Sequence, residues 1–231
     1  MVTNLLENNH LILVGNVSSD KKLSHEIYGE KFYMFDLDVP RLSKAIDTIP
    51  ITVSERLLTS IDLEIGKKLS IEGQFRSYNS YENEKNRLIL TVFAKEIVEV
   101  ENEVEEEVSE EEKEDKKVVS NEVTLIGYVC KKPIYRQTPF DREIADVLLA
   151  VNRAYNKSDY IPCIAWGRNA RFCQNIEVGT EVKILGRVQS RKYEKKFEDG
   201  TVETRVAYEV SVSSMEIIEH NDDEKESEEA M

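Results

Sequence analysis

The chain repeats itself. Residues 8–17, NNHLILVGNV, return at 120–129 as SNEVTLIGYV, with Gly15 and Gly127 in the same place 112 residues apart. Arg41 and Arg153 keep that offset, as do the dipeptides Ile49-Pro50 and Ile161-Pro162. After a slip of one residue, Gly66 and Gly73 match Gly179 and Gly186 at 113. A register held over that length calls for two copies of one fold, and the differences between the copies then become the functional clue. With 231 residues, 40% of them hydrophobic, each copy has about 100 residues, enough for a core of its own.

The net charge of −14 speaks at first against a phosphate-bearing partner, which wants Lys and Arg. The acidity is local, however. Residues 99–117 hold eleven acids against three Lys, and residues 216–231 hold eight against one. Without these runs, residues 1–98 carry 12 basic against 14 acidic side chains, and residues 118–215 carry 15 against 12. Self-repulsion and a lack of apolar residues predict a disordered linker and tail. The predicted organisation is therefore a first domain at 1–98, an acidic linker at 99–117, a mildly basic second domain at 118–218 and an acidic tail at 219–231.

Three cysteines, Cys130, Cys163 and Cys173, without C-x-x-C spacing, predict free thiols and a reducing cytoplasm. Three scattered histidines offer no zinc site, and no apolar run is long enough to span a bilayer. The expectation is a soluble cytoplasmic, nucleoid-associated protein with no cofactor.

In the second copy, apolar β-branched runs at 123–129, 144–151 and 160–166 read as strands. Ala170, Cys173 and Ile176 recur at helical spacing, with Gly179 as the cap of that helix. Residues 181–193 and 202–212 alternate about the turn signal Asp199-Gly200, a long hairpin. The first copy repeats the plan, with strands at 11–17, 32–39 and 49–53, a short helix bearing Leu58, Ile61 and Ile65, and strands at 68–78 and 87–98. Three strands, one helix and two strands is the order of the OB-fold, a five-stranded Greek-key barrel. The fold class is all-β: two tandem OB-folds, each with one short helix, joined by an acidic linker.

No phosphate-binding loop, H-E-x-x-H or G-x-S-x-G motif occurs, so nothing points to an enzyme. The second copy instead interleaves cations with aromatics: Arg153, Tyr155, Lys157, Tyr160, Trp166, Arg168, Arg171, Arg187, Arg191, Lys192, Tyr193, Lys195, Lys196 and Phe197. A face that grips single strands needs this pairing, because cations follow phosphates while aromatic faces accept unpaired bases. Trp166, at the end of an apolar strand, would equally suit a core, and Arg153 and Lys157 would suit a solvated loop.

The ordered segments NEVTLIGYV (121–129), PIYRQTP (133–139), LLAVNR (148–153), CIAWGR (163–168), VGTEVKILGRVQSRKY (178–193) and DGTVETRVAYEVSV (199–212) resemble the bacterial single-stranded DNA-binding proteins. That resemblance implies base stacking on Tyr155, Tyr160, Trp166 and Tyr193, and sequence-independent binding in replication, recombination and repair. It also implies assembly of four OB-folds, which two-domain chains reach as a homodimer. The first copy has Thr48, Ser54 and Ser80 where the second has Tyr160, Trp166 and Tyr193, so it reads as a degenerate copy, to which Tyr78 and Tyr81 still add aromatic rings. The chain ends Glu228-Glu229-Ala230-Met231, acidic but without the Pro-Phe tip by which the family recruits replication and repair partners. The alternative reading is an OB-fold protein-interaction module of a primosome or mobile-element system, with a vestigial DNA face.

Overall fold

The computed structural model of the chain describes residues 8–82, 85–100, 120–197 and 199–219. Twelve strands form one continuous sheet. The first copy contributes β1 (Asn9–Val17), β2 (Lys22–Ile27), β3 (Glu30–Pro40), β4 (Ile46–Ser54), β5 (Lys68–Glu82) and β6 (Lys85–Glu99). The second contributes β7 (Asn121–Val129), β8 (Ile134–Gln137), β9 (Glu143–Arg153), β10 (Lys157–Trp166), β11 (Glu181–Lys196) and β12 (Val202–Ile217), with helix α1 (Arg168–Cys173) after β10.

Each copy closes into a five-stranded barrel. In the first, β1 pairs with β3, β3 with β4, β4 with β6 in parallel, β6 with β5, and β5 with β1. In the second, β7, β9, β10, β12 and β11 close the same ring, again with one parallel contact, between β10 and β12. Closure removes the open edges that would otherwise invite association. Alternation turns Leu11, Leu13, Leu37, Ile49, Ile51 and Phe75 into the first interior, and Leu125, Leu149, Ile161, Cys163, Ile184 and Val210 into the second, all essentially buried. The repeated glycines sit where strands cross: a Cβ on Gly15 would meet the Asp38 carbonyl oxygen at 2.4 Å, and one on Gly127 the Ala150 oxygen at 2.4 Å.

The five-stranded barrels stand as expected, each flanked by a short extra strand, β2 or β8, paired only with β3 or β9 at the rim. Three expectations are corrected. The first copy's helix shrinks to a 3₁₀ turn at Glu55–Leu58. There Ser54 caps the start, and the Thr59 hydroxyl donates to the Arg56 carbonyl at 2.8 Å, a side-chain bond that competes with further helix. In the second copy α1 stops at Cys173, so Gly179 is not its cap; at φ +93°, Gly179 turns the chain into β11 and donates its N–H to the Val129 carbonyl at 2.8 Å. Glu99, expected to open the linker, ends β6, with its carboxylate 2.9 Å from Lys67 Nζ. The remaining linker and tail, apart from residues 100 and 219, lie outside the described residues. Among the described residues no helix is long and apolar enough to cross a membrane.

The barrels join through β1 and β7, antiparallel neighbours whose register sets Leu11 opposite Val123. These are counterparts in the repeat, 112 residues apart, so each barrel offers the other the same strand about a local twofold axis. The bracket is repeated too. The Asn9 side chain exchanges two hydrogen bonds with the Phe75 backbone, at 2.7 and 2.9 Å, and its counterpart Asn121 does the same with Val188.

Candidate nucleic-acid interface

Along β10 the odd residues Asp159, Ile161, Cys163 and Ala165 are buried, while Tyr160 and Trp166 remain 46% and 40% exposed. Period-2 alternation thus turns both rings away from the barrel interior. Register carries this face sideways. Ile164 lies beside Ser211 of β12, and β12 sets Ser211 against Arg187, Ala207 against Arg191 and Arg205 against Tyr193. The outward face of β10, β12 and β11 therefore holds Tyr160, Trp166, Arg187, Arg191 and Tyr193. Tyr193 is 38% exposed, on the part of the β11–β12 hairpin that extends beyond the barrel, with the Arg191 guanidinium 5.9 Å from its ring centre. Trp166 is thus not a core residue.

The remaining residues singled out in the sequence divide by their partners. Lys157, Arg168, Lys192, Lys195 and Lys196 are exposed and, among the described residues, form no ion pair. Lys195 lies 5.3 Å from the ring centre of Phe197. Arg171 meets Glu143 at 3.2 Å and Arg191 meets Glu209 at 3.4 Å. Tyr155, with φ +60°, projects almost fully exposed from the turn between β9 and β10.

Arg153 and Arg187 face a different task. Asp47 and Asp159, counterparts in the repeat, are both fully buried and both reach across to the other barrel. Asp47 accepts the Ser190 N–H at 2.7 Å and is gripped by Arg41 Nε at 2.6 Å and Arg187 Nη1 at 3.2 Å. Asp159 accepts the Ser77 N–H at 2.7 Å and meets Arg153 Nη1 at 3.3 Å, but its second oxygen is buried with no partner. Burial pushes the Asp159 carboxyl above its usual range, against the Ser77 bond and Arg153. The hydrogen bond to Asp47 holds Arg41 above its ordinary value, whereas burial, then Arg41, lower Arg187. Sequence reading missed this cross-brace, although D-x-I-P recurs at 47–50 and 159–162.

Two clefts open between the barrels. One, of about 500 Å³, runs from Met34, Pro50 and Arg87 of the first barrel to Pro162, Tyr193, Arg205 and Tyr208 of the second. The other, of about 330 Å³, is framed by Gln74, Arg76 and Lys95 on one side and Arg153, Tyr155 and Lys157 on the other. In the first copy the stacking positions are polar. Thr48 donates to Asp38 at 2.7 Å, and Ser54 bonds Glu30 and caps the 3₁₀ turn. Tyr78 is 44% exposed; the side chains of Ser80 and Tyr81 lie outside the described residues. Among the described residues, no three His, Cys, Asp or Glu side chains gather as a metal site.

Residues 120–218 match the Single-strand binding protein family. Over 84 residues the chain is 36% identical to "Single-stranded DNA-binding protein B" of Bacillus subtilis, a stretch that is 32% of this chain and 72% of that protein. The chain belongs to the Single-strand binding protein family. A single-stranded DNA-binding protein of Clostridium tetani is 38% identical over 88 residues, 35% of this chain and 59% of that one. The alignments with these two relatives cover about a third of the chain, but the fold likeness takes in both barrels. The crystal structure of the wild-type single-stranded DNA binding protein from Thermus aquaticus superposes with a TM-score of 0.69, covering 92% of this chain and 94% of that one at 16% identity.

Proposed function

We propose that the chain binds single-stranded DNA without base specificity through its second barrel, and protects strands exposed in replication, recombination and repair in the cytoplasm. The observation that carries this reading is the outward face of β10, β12 and β11, where three half-exposed rings, Tyr160, Trp166 and Tyr193, alternate with arginines. Leaving such rings in water gains nothing for folding, whereas each offers a flat apolar surface to an unpaired base. The lysines Lys192, Lys195 and Lys196, with Lys157 and Arg168, would follow the phosphates. Arg153 and Arg187 are tied to the buried aspartates of the cross-brace, which leaves them less free for phosphates than the lysines. The membership of residues 120–218 in a family whose named relatives bind single-stranded DNA favours this reading over a protein-interaction module with a vestigial face. The chain pairs with a second copy to bring together four barrels, and its acidic tail, outside the described residues, is left for recruiting replication or repair proteins.

Titration of the full chain with oligo-dT at several salt concentrations tests the reading. Trp166→Ala and Tyr193→Ala are each expected to lower affinity by about 1–3 kcal/mol, the scale of one lost stacked base. Full affinity in the folded double variant would remove both rings from the interface.

A further inference from the structure

The cleft framed by Arg76, Lys95, Arg153, Tyr155 and Lys157 has an internal control. The local twofold axis creates a second, equivalent place in the molecule, and the two differ only in side chains. Where one has Arg76, Lys95, Tyr155 and Lys157, the repeat puts Gln189, Ser213, Ser43 and Ala45 in the other. Arg153 corresponds to Arg41, and Gln74 to Arg187. The second place thus holds two cations, and both are bound to the fully buried Asp47. Each of its cations has a carboxylate partner.

The first place holds four cations. Of these cations only Arg153 comes within ion-pair distance of the buried Asp159, at 3.3 Å, and among the described residues Arg76, Lys95 and Lys157 form no ion pair. Glu72 lies near Lys95 but is itself 3.0 Å from His10. Arg76 is half-buried, spread over the Phe93 ring at 4.2 Å from its centre and bonded to Gln74 at 2.7 Å, so its guanidinium is held in place at the cleft wall. Burial lowers both Arg76 and Lys95, helped by Arg153 beside Arg76 and by Arg76 beside Lys95, and the nearby Asp159 and Glu72 offset this only in part. Like charges collected in a half-buried groove, with an aromatic side chain at the rim, suit the phosphates of a nucleic-acid strand.

We propose that this inter-barrel cleft holds phosphodiester groups of a single strand leaving the second barrel, so that Arg76 and Lys95 carry the strand across to the first barrel. The inference rests on the single-strand binding reading and extends it to a copy whose stacking positions are polar. Tyr155, beside the cleft rather than on the β10–β12–β11 face, supplies the ring at the crossing.

The test exchanges the two cations for the residues the same fold tolerates at the equivalent positions, R76Q with K95S, in the full chain. Strands of about 8 and about 35 thymidines are titrated across salt, the shorter within what one OB-fold holds and the longer beyond it. With the long strand the double variant is expected to lose about tenfold in affinity at low salt and to flatten the salt slope by about 1.4, two single-strand phosphate contacts at about 0.7 each. The short strand is expected to bind as before. K95S alone, at an exposed position that cannot disturb the core, is expected to flatten the long-strand slope by about half as much. An unchanged long-strand slope in both variants overturns the proposal. So does an equal loss with both lengths, which would place these cations within the second barrel's own site. A gain in affinity would show the cleft occupied by the chain's own acidic segments, and also overturns it. If the unmodified chain bound neither strand, the single-strand reading itself would fall, a result distinct from any of these.

Discussion

At the scale of single residues, the two aspartates of the cross-brace show how one side chain does different work in two copies. Asp47 has both oxygens bonded and two guanidiniums beside it, whereas Asp159 keeps one buried oxygen without a partner. Removing the first charge strands Arg41 and Arg187; removing the second relieves a desolvation cost. Asp47→Asn is therefore expected to destabilise the chain by about 3 kcal/mol at neutral pH, the low end for a broken buried pair because both arginines keep some contact with water. Asp159→Asn is expected to cost about 1 kcal/mol or less, since the acceptor for Ser77 survives. Chemical denaturation compares them, and equal losses would mean the asymmetry has no energetic meaning. The pH dependence follows the same physics. A carboxyl raised in the folded state penalises folding once ionised, so the Asp159 contribution is most favourable below the unfolded value and is lost as pH rises through the folded one. The stability difference between the unmodified chain and Asp159→Asn should accordingly shift in favour of the aspartate on acidification.

At the scale of elements, β1 and β7 meet with repeat counterparts facing each other, Leu11 against Val123. Such a pairing is isologous, and either strand is complementary to a second copy of itself. A separated second barrel, residues 118–219, would leave the β7 edge that pairs with β1 open. It is expected to form a homodimer through that edge, read as twice its mass by light scattering. A monomer at tens of micromolar would show that the pairing needs the covalent tether. The same element view explains the long hairpins. β11 and β12 run 16 residues each, with a register shift at Leu185/Gly186 where a Cβ would meet the Ser211 oxygen at 2.4 Å. That bulge bends the strands so that their inner halves close the barrel while their outer halves carry Tyr193 beyond it.

At the scale of the molecule, twelve strands form one sheet, and its two ends are the short strands β2 and β8. The hairpin of β2 and β3 leaves Leu23 59% exposed, Ile27 50% and Tyr28 fully so, an apolar tip on the barrel that lacks the stacking rings. Apolar side chains gathered at a sheet end are a surface for association. The whole chain is expected to run as a homodimer of the 26.7 kDa protomer, and light scattering that returned the monomer mass across micromolar concentrations would exclude it. Tyr28→Ser and Leu23→Ser should weaken that dimer and leave binding of a short strand intact.

The sequence by itself determined the two copies, their strand order and the candidate aromatics. Strand order is encoded locally, in apolar β-branched runs and in the Asp199-Gly200 turn, whereas the repeated glycines at strand crossings take their meaning from strands 20 or more residues away. Tyr160, Trp166 and Tyr193 were legible as candidates because they stand among cations in the ordered family segments, while the exposure of Trp166 was decided only by the structure. What only the tertiary structure decided is everything that depends on the local twofold axis. Arg153 and Arg187 look in sequence like the other cations, and only the neighbouring barrel's geometry sets them against Asp159 and Asp47. Arg76 and Lys95, in the copy whose aromatic positions had been lost, gain meaning only when β5 and β6 come to face the β9–β10 turn. The helices fell short for a related reason: spacing proposes a helix, but local side-chain bonds such as Thr59 to Arg56, and the need to bring the chain back to the barrel wall, decide where it stops. Contacts between barrels join residues some 80 to 150 positions apart, and no local pattern records which charges such a contact will neutralise and which it will leave facing an open cleft.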